Sequence, residues 1–244
     1  MSHSSVLVIA DVHGNLEALE AVLKDAGGDF EELWVLGDIV GYGPDPSLCL
    51  EFLREHDAIM IAGNHDFAAC GKLSISDFNF EARKAIQIHQ SVLSEESKNF
   101  LRNLPEVMVR RSVTLAHGNP ENPIWGYVID SISATRVLTA AQSPLTLIGH
   151  THIPSLWTLN PRAGAEPKRI EYDKEFSYSS TPCLANPGSV GQSRDGALGA
   201  RYMILQPELK TMFFRSCPWN REVTRKKMLR RGYPESLINR MAPK

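Results

Sequence analysis

The sequence lacks the features that would tie it to a membrane or to the extracellular space. No apolar run is long enough to span a bilayer, and no charged and then apolar leader stands at the N-terminus. The cysteines form no Cys-x-x-Cys pair, which excludes a zinc-knuckle spacing and a disulfide framework. We therefore expect a cytoplasmic protein that makes no membrane contact. The scattered cysteines are Cys49, Cys70, Cys183 and Cys217.

A strong net charge is also missing. The chain has 26 basic and 28 acidic residues, a formal charge of −2, so its overall field should not draw it onto nucleic acid. Residues 219–244 differ, because eight basic residues stand there against Glu222 and Glu235. This basic tail either is a solvated surface or contacts a nucleic-acid backbone. Its basic residues are Arg221, Arg225, Lys226, Lys227, Arg230, Arg231, Arg240 and Lys244.

The length and composition predict one large core. The chain has 244 residues, of which 43% are hydrophobic, and it contains no internal repeat or low-complexity tract. We expect a single domain over residues 1–244. Its tail, residues 219–244, should form two short helices that are separated by Gly232-Tyr233-Pro234.

The chain begins with a strand–turn–helix unit. Residues 6–10 are typical of a buried strand and run directly into Asp11-Val12-His13, and apolar residues then recur at helical spacing until Gly27-Gly28 ends the helix. Asp11 and His13 are two apart, so in extended backbone both side chains would leave on the same face. We expect them to bind one ion together.

Two further strands end in polar residues. Residues 33–36 lead to Asp38, a glycine-rich loop at 41–43 and a helix that Asp45 should cap, with Pro46 in its first position. Residues 58–62 lead to Asn64 and His65, which we expect on a turn. Open α/β sheets place their chemistry at such strand ends. An amide oxygen can ligate a hard metal, and an imidazole can transfer a proton near neutral pH.

Histidines follow two later strands. Helical patterns at 80–93 and 94–104 precede strands at 107–109 and 113–116, and the second strand runs into His117. A helix at 131–141 leads to a strand at 145–148, after which come His150 and His152. Short alternating segments then predict a second, antiparallel sheet. These segments are residues 155–159, 169–172, 184–186, 201–205 and 211–214.

The ligand-type residues at the strand ends form one set: Asp11, His13, Asp38, Asn64, His117, His150 and His152. The set is too large for one tetrahedral zinc and too rich in histidine for magnesium. It suits two adjacent transition-metal ions, with Asp38 as the carboxylate that both would share. Two such ions can lower the pKa of a bridging water and stabilise both ends of an in-line displacement at phosphorus.

The motifs resemble those of the calcineurin-like metallophosphoesterase superfamily. They are Asp-x-His, Gly-Asp, Gly-Asn-His-Asp, an isolated His-Gly and Gly-His-Thr-His, in this order. Residues 11–19, 37–46 and 186–191 are more closely similar to its subgroup of small bacterial and archaeal phosphodiesterase-like proteins. The resemblance implies an α/β fold (α+β in some schemes): a four-layer sandwich of two facing mixed β-sheets that helices flank.

The resemblance also implies roles for individual residues. One metal would take Asp11, His13, Asp38 and His152, and the other would take Asp38, Asn64, His117 and His150. His65 would be the proton donor in the attack of a metal-bridging hydroxide on a phosphodiester, with Asp38 as the second catalytic residue. Manganese is the expected ion, and iron, zinc, nickel and cobalt are alternatives.

The sequence departs from the better-known branches of the family. Phosphoprotein phosphatases and dinucleoside tetraphosphate hydrolases carry an arginine before Gly-Asn-His and another after Gly-Asp, where this chain has Ala62 and the loop 41–43. A small phosphodiester therefore becomes the expected substrate, because a dianionic monoester depends more on such guanidinium groups.

Other functions and contacts stay open. The alternatives are a dinucleoside polyphosphate hydrolase, a phosphomonoesterase or protein-phosphatase-like enzyme, a nuclease, and a metal-binding regulator without turnover. Asn15 and Arg194 are the candidate substrate contacts, because Asn15 lies two residues from a ligand and Arg194 lies on a glycine-bearing loop. A surface salt bridge is the alternative for Arg194. The sequence leaves homo-oligomerisation open.

Overall fold

The computed structural model of the protein describes residues 4–28 and 30–243. Twelve β-strands lie in these two ranges. They are β1 (Val6–Ile9), β2 (Glu32–Leu36), β3 (Ile59–Ile61), β4 (Val107–Arg110), β5 (Val113–Ala116), β6 (Leu145–Leu147), β7 (Ser155–Asn160), β8 (Gly164–Pro167), β9 (Glu175–Ser177), β10 (Cys183–Asn186), β11 (Ala200–Gln206) and β12 (Thr211–Cys217).

Eight helices accompany these strands in the described ranges. They are α1 (Leu16–Ala26), α2 (Pro46–Glu55), α3 (Asn64–Ala69), α4 (Phe80–Val92), α5 (Glu95–Arg102), α6 (Ser131–Ala140), α7 (Arg221–Arg230) and α8 (Glu235–Met241). None of them is both long and apolar enough to cross a bilayer.

The strands form two six-stranded mixed sheets. The first has the order β3-β2-β1-β11-β12-β9, and the second has the order β4-β5-β6-β10-β7-β8. In the first sheet β1, β2 and β3 are parallel, and in the second β5, β6 and β10 are parallel. The parallel strands of each sheet therefore end together at one edge, where their following loops can meet.

The core is built in layers by the alternation of side chains along each strand. In β1, Val6 and Val8 pack into the interior between the two sheets, whereas Leu7 and Ile9 face α1 and α2 on the outside of the first sheet. On the outside of the second sheet, Leu184 packs against α6. The expected α/β sandwich with two facing mixed sheets and flanking helices is confirmed.

The first helix has the boundaries that the sequence predicts. Asn15 accepts a hydrogen bond from the Ala18 amide, which caps the N-terminus of α1, and Gly27 ends the helix with φ 75°. The prediction for Asp45 is wrong in one respect. Asp45 precedes Pro46 at the start of α2, but its side chain makes no capping hydrogen bond with the helix.

The last third of the chain corrects two predictions. The late strands do not form a sheet of their own, because β11 pairs with β1 and joins the first sheet, whereas β10 pairs with β6 and joins the second. No strand forms at 169–172. Those residues carry the chain from β8, at the edge of one sheet, to β9, at the edge of the other, so they cannot join a ladder. Ile170 and Tyr172 pack instead on the core between the sheets.

The basic tail forms two helices, as its break at residues 232–234 predicts. Both helices also pack on the body of the protein. Leu237, Ile238 and Met241 of α8 are buried in one cluster with Ala82 and Ile86 of α4. The predicted tail also includes Lys244, which lies outside the described residues. The tail therefore contributes to the protein core, and only part of its surface is solvated.

Candidate functional site

The structure brings the predicted ligand set together at the joined carboxyl edges of the two sheets. All seven residues are buried. They follow the carboxyl ends of five strands, six of them in loops and Asn64 as the first residue of α3: Asp11 and His13 after β1, Asp38 after β2, Asn64 after β3, His117 after β5, and His150 and His152 after β6.

The side chains form two groups that share one carboxylate. Asp11, His13, Asp38 and His152 each offer one ligand atom, and these atoms lie within 4.8 Å of one another. The ligand atoms of the second group, Asp38, His117 and His150, also lie within 4.8 Å of one another. The Oδ2 atom of Asp38 lies 3.6 Å from His13 Nε2 and 3.4 Å from His117 Nε2. A single carboxylate oxygen thus faces both groups.

The amide of Asn64 belongs to the second group. Its Oδ1 lies 3.2 Å from His117 Nε2, and His117 Nε2 is also 3.1 Å from His150 Nδ1. An amide oxygen and two imidazole nitrogens therefore point at the same small volume. Together with Asp38 they offer oxygen and nitrogen donors of the kind that first-row transition metals accept.

The imidazole orientations indicate that a cation belongs between these side chains. His13 Nδ1 donates to the Val40 carbonyl at 3.1 Å, and His152 Nδ1 donates to the Gln192 carbonyl at 2.7 Å. Each neutral ring therefore has its hydrogen on Nδ1 and a lone pair on Nε2. These two Nε2 atoms are 3.0 Å apart. Facing lone pairs repel each other, whereas a metal ion would accept both, with the carbonyls as orienting partners.

Two atoms of the groups have no protein partner among the described residues. Asp11 Oδ2 and His150 Nε2 are buried and make no hydrogen bond within the chain. Leaving such atoms unsatisfied costs about 1–3 kcal/mol each. A metal ion would satisfy Asp11 Oδ2. His150 Nε2 is on the opposite side of the ring from Nδ1, the atom that faces the second group, so the same ion would not satisfy it. Asp11 Oδ2, the facing lone pairs of His13 and His152 and the convergent donors of the second group fit a dinuclear transition-metal centre.

The backbone of the site corrects the expectation of extended chain. Asp11 has φ 53° and His13 has φ 51°, and His150 and His152 have φ 68° and 60°. Their side chains converge because these residues adopt the left-handed region, which is uncommon outside glycine. Such strain costs about 1–3 kcal/mol per residue and is typical of functional sites. Asp38, with φ 52°, is also in the left-handed region.

Asn64 and His65 begin α3 instead of lying on a turn, which corrects a second expectation. The Asp66 carboxylate accepts hydrogen bonds from the amides of Gly63 and Val40, at 2.9 and 3.1 Å. Asp38 Oδ1 accepts from the His65 amide at 2.9 Å. A Cβ atom on Gly63 would collide with Asp38. A carboxylate three residues after Gly63 was the sequence signal for this helix start.

Burial and charge together set the protonation of the site. Burial raises the pKa of Asp11 to about 7 and lowers the pKa of His150 to about 3. Burial would also raise the pKa of Asp38, but the charges of His117 and His65 hold it well below its usual range. Burial opposes a proton on His117, yet the charge and hydrogen bond of Asp38 raise its pKa to about 9.

A cleft of about 120 Å³ opens above the two groups. Its walls contain the rings of Phe78, Trp125 and Tyr127 and the guanidinium groups of Arg194 and Arg240. The volume admits a phosphoryl group, and the rest of a substrate would extend out of the cleft. Two positively charged side chains beside Asp/His groups make an anion the natural ligand.

The two candidate substrate contacts differ in their placement. Arg194 lines the cleft, and its guanidinium donates to Gln192 Oε1 at 3.0 Å. Asn15 is not among the lining residues. Its Oδ1 caps α1 and its Nδ2 donates to the Gly191 carbonyl at 3.0 Å, so this placement does not support the substrate contact expected from Asn15. The side chain is fully used in joining α1 to the loop that follows β10.

Sequence reasoning missed several residues around the centre. The Tyr42 ring packs edge-on to His13 at a centroid distance of 4.7 Å and lies 4.6 Å from His65. The Tyr127 ring stacks on His150 at 4.0 Å. Arg240 stands in the tail, where apolar residues on one face of α8 were the only signal that the helix packs on the body.

Comparison with known proteins agrees with the site. The family model for the calcineurin-like phosphoesterase superfamily domain matches residues 5–209. The crystal structure of a metallophosphoesterase from Sphaerobacter thermophilus is similar at 38% identity, with a TM-score of 0.90 over 99% of both chains. An uncharacterized protein of Methanocaldococcus jannaschii is 36% identical over 84% of this chain and 83% of its own.

A more distant relative carries a named activity. A symmetrical bis(5'-nucleosyl)-tetraphosphatase of Thioalkalivibrio sulfidiphilus is 28% identical over 83% of this chain and 77% of its own length. The family model and the closer relatives each span most of the chain and confirm the resemblance in the motifs. The chain belongs to the calcineurin-like phosphoesterase superfamily.

Proposed function

We propose that the protein is a dinuclear metal-dependent phosphoesterase that hydrolyses a phosphodiester, with His65 as the proton donor. The observation that carries the proposal is the position of Asp38, whose Oδ2 faces His13 and His117 within 3.6 Å and so links the two ligand groups. A carboxylate between two imidazole-rich groups could hold two ions close together, as two-metal hydrolysis requires.

The residues divide naturally between two ions. Asp11, His13, Asp38 and His152 would hold one, and Asp38, Asn64, His117 and His150 would hold the other. We propose Mn²⁺, and Fe, Zn, Ni or Co also suit this mixture of nitrogen and oxygen donors. When bound, two such ions supply Lewis-acid activation of the phosphoryl oxygen and of the attacking water.

His65 is the residue that could protonate the leaving group. Its ring lines the cleft, with the buried Nδ1 packed beside Gly41, so the other edge of the ring is the one that could reach a substrate. Burial lowers the pKa of His65 to about 4, so in the empty cleft the imidazole is neutral at pH 7. The negative charge of a bound phosphoryl group would raise that pKa and favour the protonated form. In this proposal His65 gives that proton to the leaving oxygen.

The preference for a diester rests on two motif positions at which this chain has no arginine. The motif positions that carry arginine in the phosphatases hold Ala62 and the loop 41–43. A diester carries one negative charge and needs less compensation than a dianionic monoester. We propose Arg194 as a contact for the phosphoryl oxygens, since it lines the cleft and Gln192 fixes its guanidinium.

A second candidate is a dinucleoside polyphosphate hydrolase. The specific observation in its favour is the aromatic wall: the Tyr127 ring stacks on His150 at 4.0 Å and is still 49% exposed, so one face is free for a planar group. Trp125 lies in the same wall. Attack on such a substrate also occurs at a phosphorus with two substituents, so the same cleft could serve either reaction.

Steady-state kinetics of the metal-loaded protein test the proposal. We expect a higher kcat/KM for bis(p-nitrophenyl) phosphate than for p-nitrophenyl phosphate, with Mn²⁺ among the supporting ions. A clear preference for the monoester would contradict the diesterase proposal. Absence of turnover on diesters, monoesters, cyclic nucleotides and dinucleoside polyphosphates would favour a metal-binding regulator instead.

A further inference from the structure

Helix α8 brings a second guanidinium group into the cleft. Arg240 lines the same cleft as Arg194, although 46 positions separate them in the sequence, and its Cζ lies 5.6 Å from the centroid of the Tyr42 ring. The Tyr42 ring in turn packs against His13 and His65. Arg240 therefore stands one aromatic ring away from the proposed proton donor and a predicted metal ligand.

The protein fixes this side chain by anchoring both ends of the short helix. Tyr233, before α8, donates from its hydroxyl to the Gly43 carbonyl at 3.1 Å. Met241, the residue after Arg240, is buried, and its sulfur accepts a hydrogen bond from Gln192 Nε2 at 3.2 Å. Arg225 of α7 donates to Asn239 Oδ1 at 2.9 Å. The backbone around Arg240 is thus held on three sides.

The guanidinium of Arg240 remains free to bind an anion. Its nearest acidic partner, Glu81, approaches to 3.5 Å, which is too long for a strong hydrogen bond, and both side chains are about one-third exposed. Lys227 of the same tail, in contrast, forms a close ion pair with a buried carboxylate. It lies 2.7 Å from the buried carboxylate of Asp45, so its charge is already paired inside the protein. Of the basic tail residues that the structure describes, Arg240 is the one that lines the cleft.

We propose that Arg240 is a substrate-binding residue whose guanidinium binds a phosphoryl oxygen in the cleft, so that the C-terminal helix completes the active site. This inference rests on the proposed phosphoesterase function. Together with Arg194 it gives the cleft a pair of guanidinium groups, both from the C-terminal third of the chain. The basic tail then acts on the small phosphoester substrate of the same protein.

The test compares phosphate binding and turnover in full-length, metal-loaded variants. Isothermal titration calorimetry measures the dissociation constant for inorganic phosphate, and kinetics give kcat/KM for bis(p-nitrophenyl) phosphate. Arg240→Gln should weaken phosphate binding by about 10–100-fold, because a charge-assisted hydrogen bond is lost. Arg240→Lys should have a dissociation constant between those of the wild type and Arg240→Gln, since lysine keeps the charge but cannot form two parallel hydrogen bonds as a guanidinium can. Arg230→Gln, at an exposed position of α7, is the matched control. Its dissociation constant for phosphate and its kcat/KM should equal those of the wild type.

Glu81→Gln separates substrate binding from a structural ion pair. If Arg240 acts on the substrate, this variant should bind phosphate at least as tightly as the wild type. If instead Glu81→Gln reproduces the loss, or Arg240→Gln leaves the dissociation constant unchanged, the inference is overturned. A wild type that binds phosphate but hydrolyses no ester would contradict the proposed function, and the effect of Arg240→Gln on phosphate binding would still be measurable.

Discussion

His89 holds the glycine-rich loop of the cleft through the Gly41 amide. Gly41 N donates to His89 Nδ1 at 2.8 Å, and the opposite nitrogen of the ring, Nε2, donates to the Gly43 carbonyl at 2.8 Å. The loop between these contacts carries Tyr42, which packs against His65. This geometry allows only the neutral ring, because a hydrogen on Nδ1 would face the Gly41 N–H group.

We predict that His89 makes the free energy of unfolding depend on pH. Burial lowers its pKa to about 4 in the native state, whereas an unfolded histidine has a pKa of about 6.5. As the pH falls from about 6.5 to about 4, the unfolded chain binds a proton that the native protein does not, so stability decreases. His89→Gln removes this contribution. Its stability deficit should therefore shrink on acidification, and a deficit that is constant from pH 7 to pH 4 would contradict the assignment.

His65→Ala should slow hydrolysis and retain the metals. A positioned general acid contributes about 10²–10⁴-fold, and His65 is not among the residues that we assign to either ion. The loss should be largest for alkoxide leaving groups and small for nitrophenolate, which departs without much help. Kinetics across a leaving-group series, with metal analysis of the same samples, check this. An equal loss for all leaving groups would indicate a positioning role.

Arg194→Ala should lower kcat/KM for a phosphodiester by about 10-fold or more, because its guanidinium is a charge-assisted donor in the cleft. The measurement is a comparison of both ester types in the wild type and the variant. Arg230→Gln again serves as the control for a changed surface charge. If kcat/KM stays at the wild-type value, Arg194 does not contact the substrate, and its bond to Gln192 is structural.

Asp45→Asn should destabilise the protein by about 1–3 kcal/mol. The Asp45 carboxylate is buried, and it lies 2.7 Å from Lys227 Nζ and 3.0 Å from Arg231 Nη2. Breaking a buried ion pair lowers the free energy of unfolding strongly, but both cations are partly exposed to water, which reduces the loss. Denaturant unfolding measures the change. Glu222→Gln, which breaks an exposed pair with Lys226, should cost less than about 0.5 kcal/mol; similar losses in both variants would contradict the structural role of Asp45.

The strand ends and their ligands could be predicted from the sequence because the information is local. A buried strand followed by Asp or His places that residue at the carboxyl edge of a sheet, whatever the sheet contains. The sheet to which each strand belongs could not be predicted in the same way. The pairing of β11 with β1 joins residues about 200 positions apart, such as Val8 and Met203. Alternation of apolar residues indicates that a segment is a strand, but it does not indicate which strand pairs with it.

The surroundings of the centre were harder to predict for a related reason. His89 lies inside α4 and Arg240 inside α8, and neither stands beside a motif. Arg240 reaches the cleft, and His89 reaches the loop that carries Tyr42, only because the helices pack where they do. The left-handed conformation of Asp11 and His13 was also missed, because the strand before them predicts extended backbone. Local pattern therefore indicates the ligands, whereas tertiary packing determines what orients them.

The metal content of the wild type and of Asp38→Asn tests the central claim most directly. Elemental analysis of reconstituted, gel-filtered protein should give two divalent ions per chain for the wild type. Asp38 belongs to both ligand groups, so Asp38→Asn should bind one ion or none and lose most activity. Two ions with normal turnover in Asp38→Asn, or a single ion in the fully active wild type, would contradict the account.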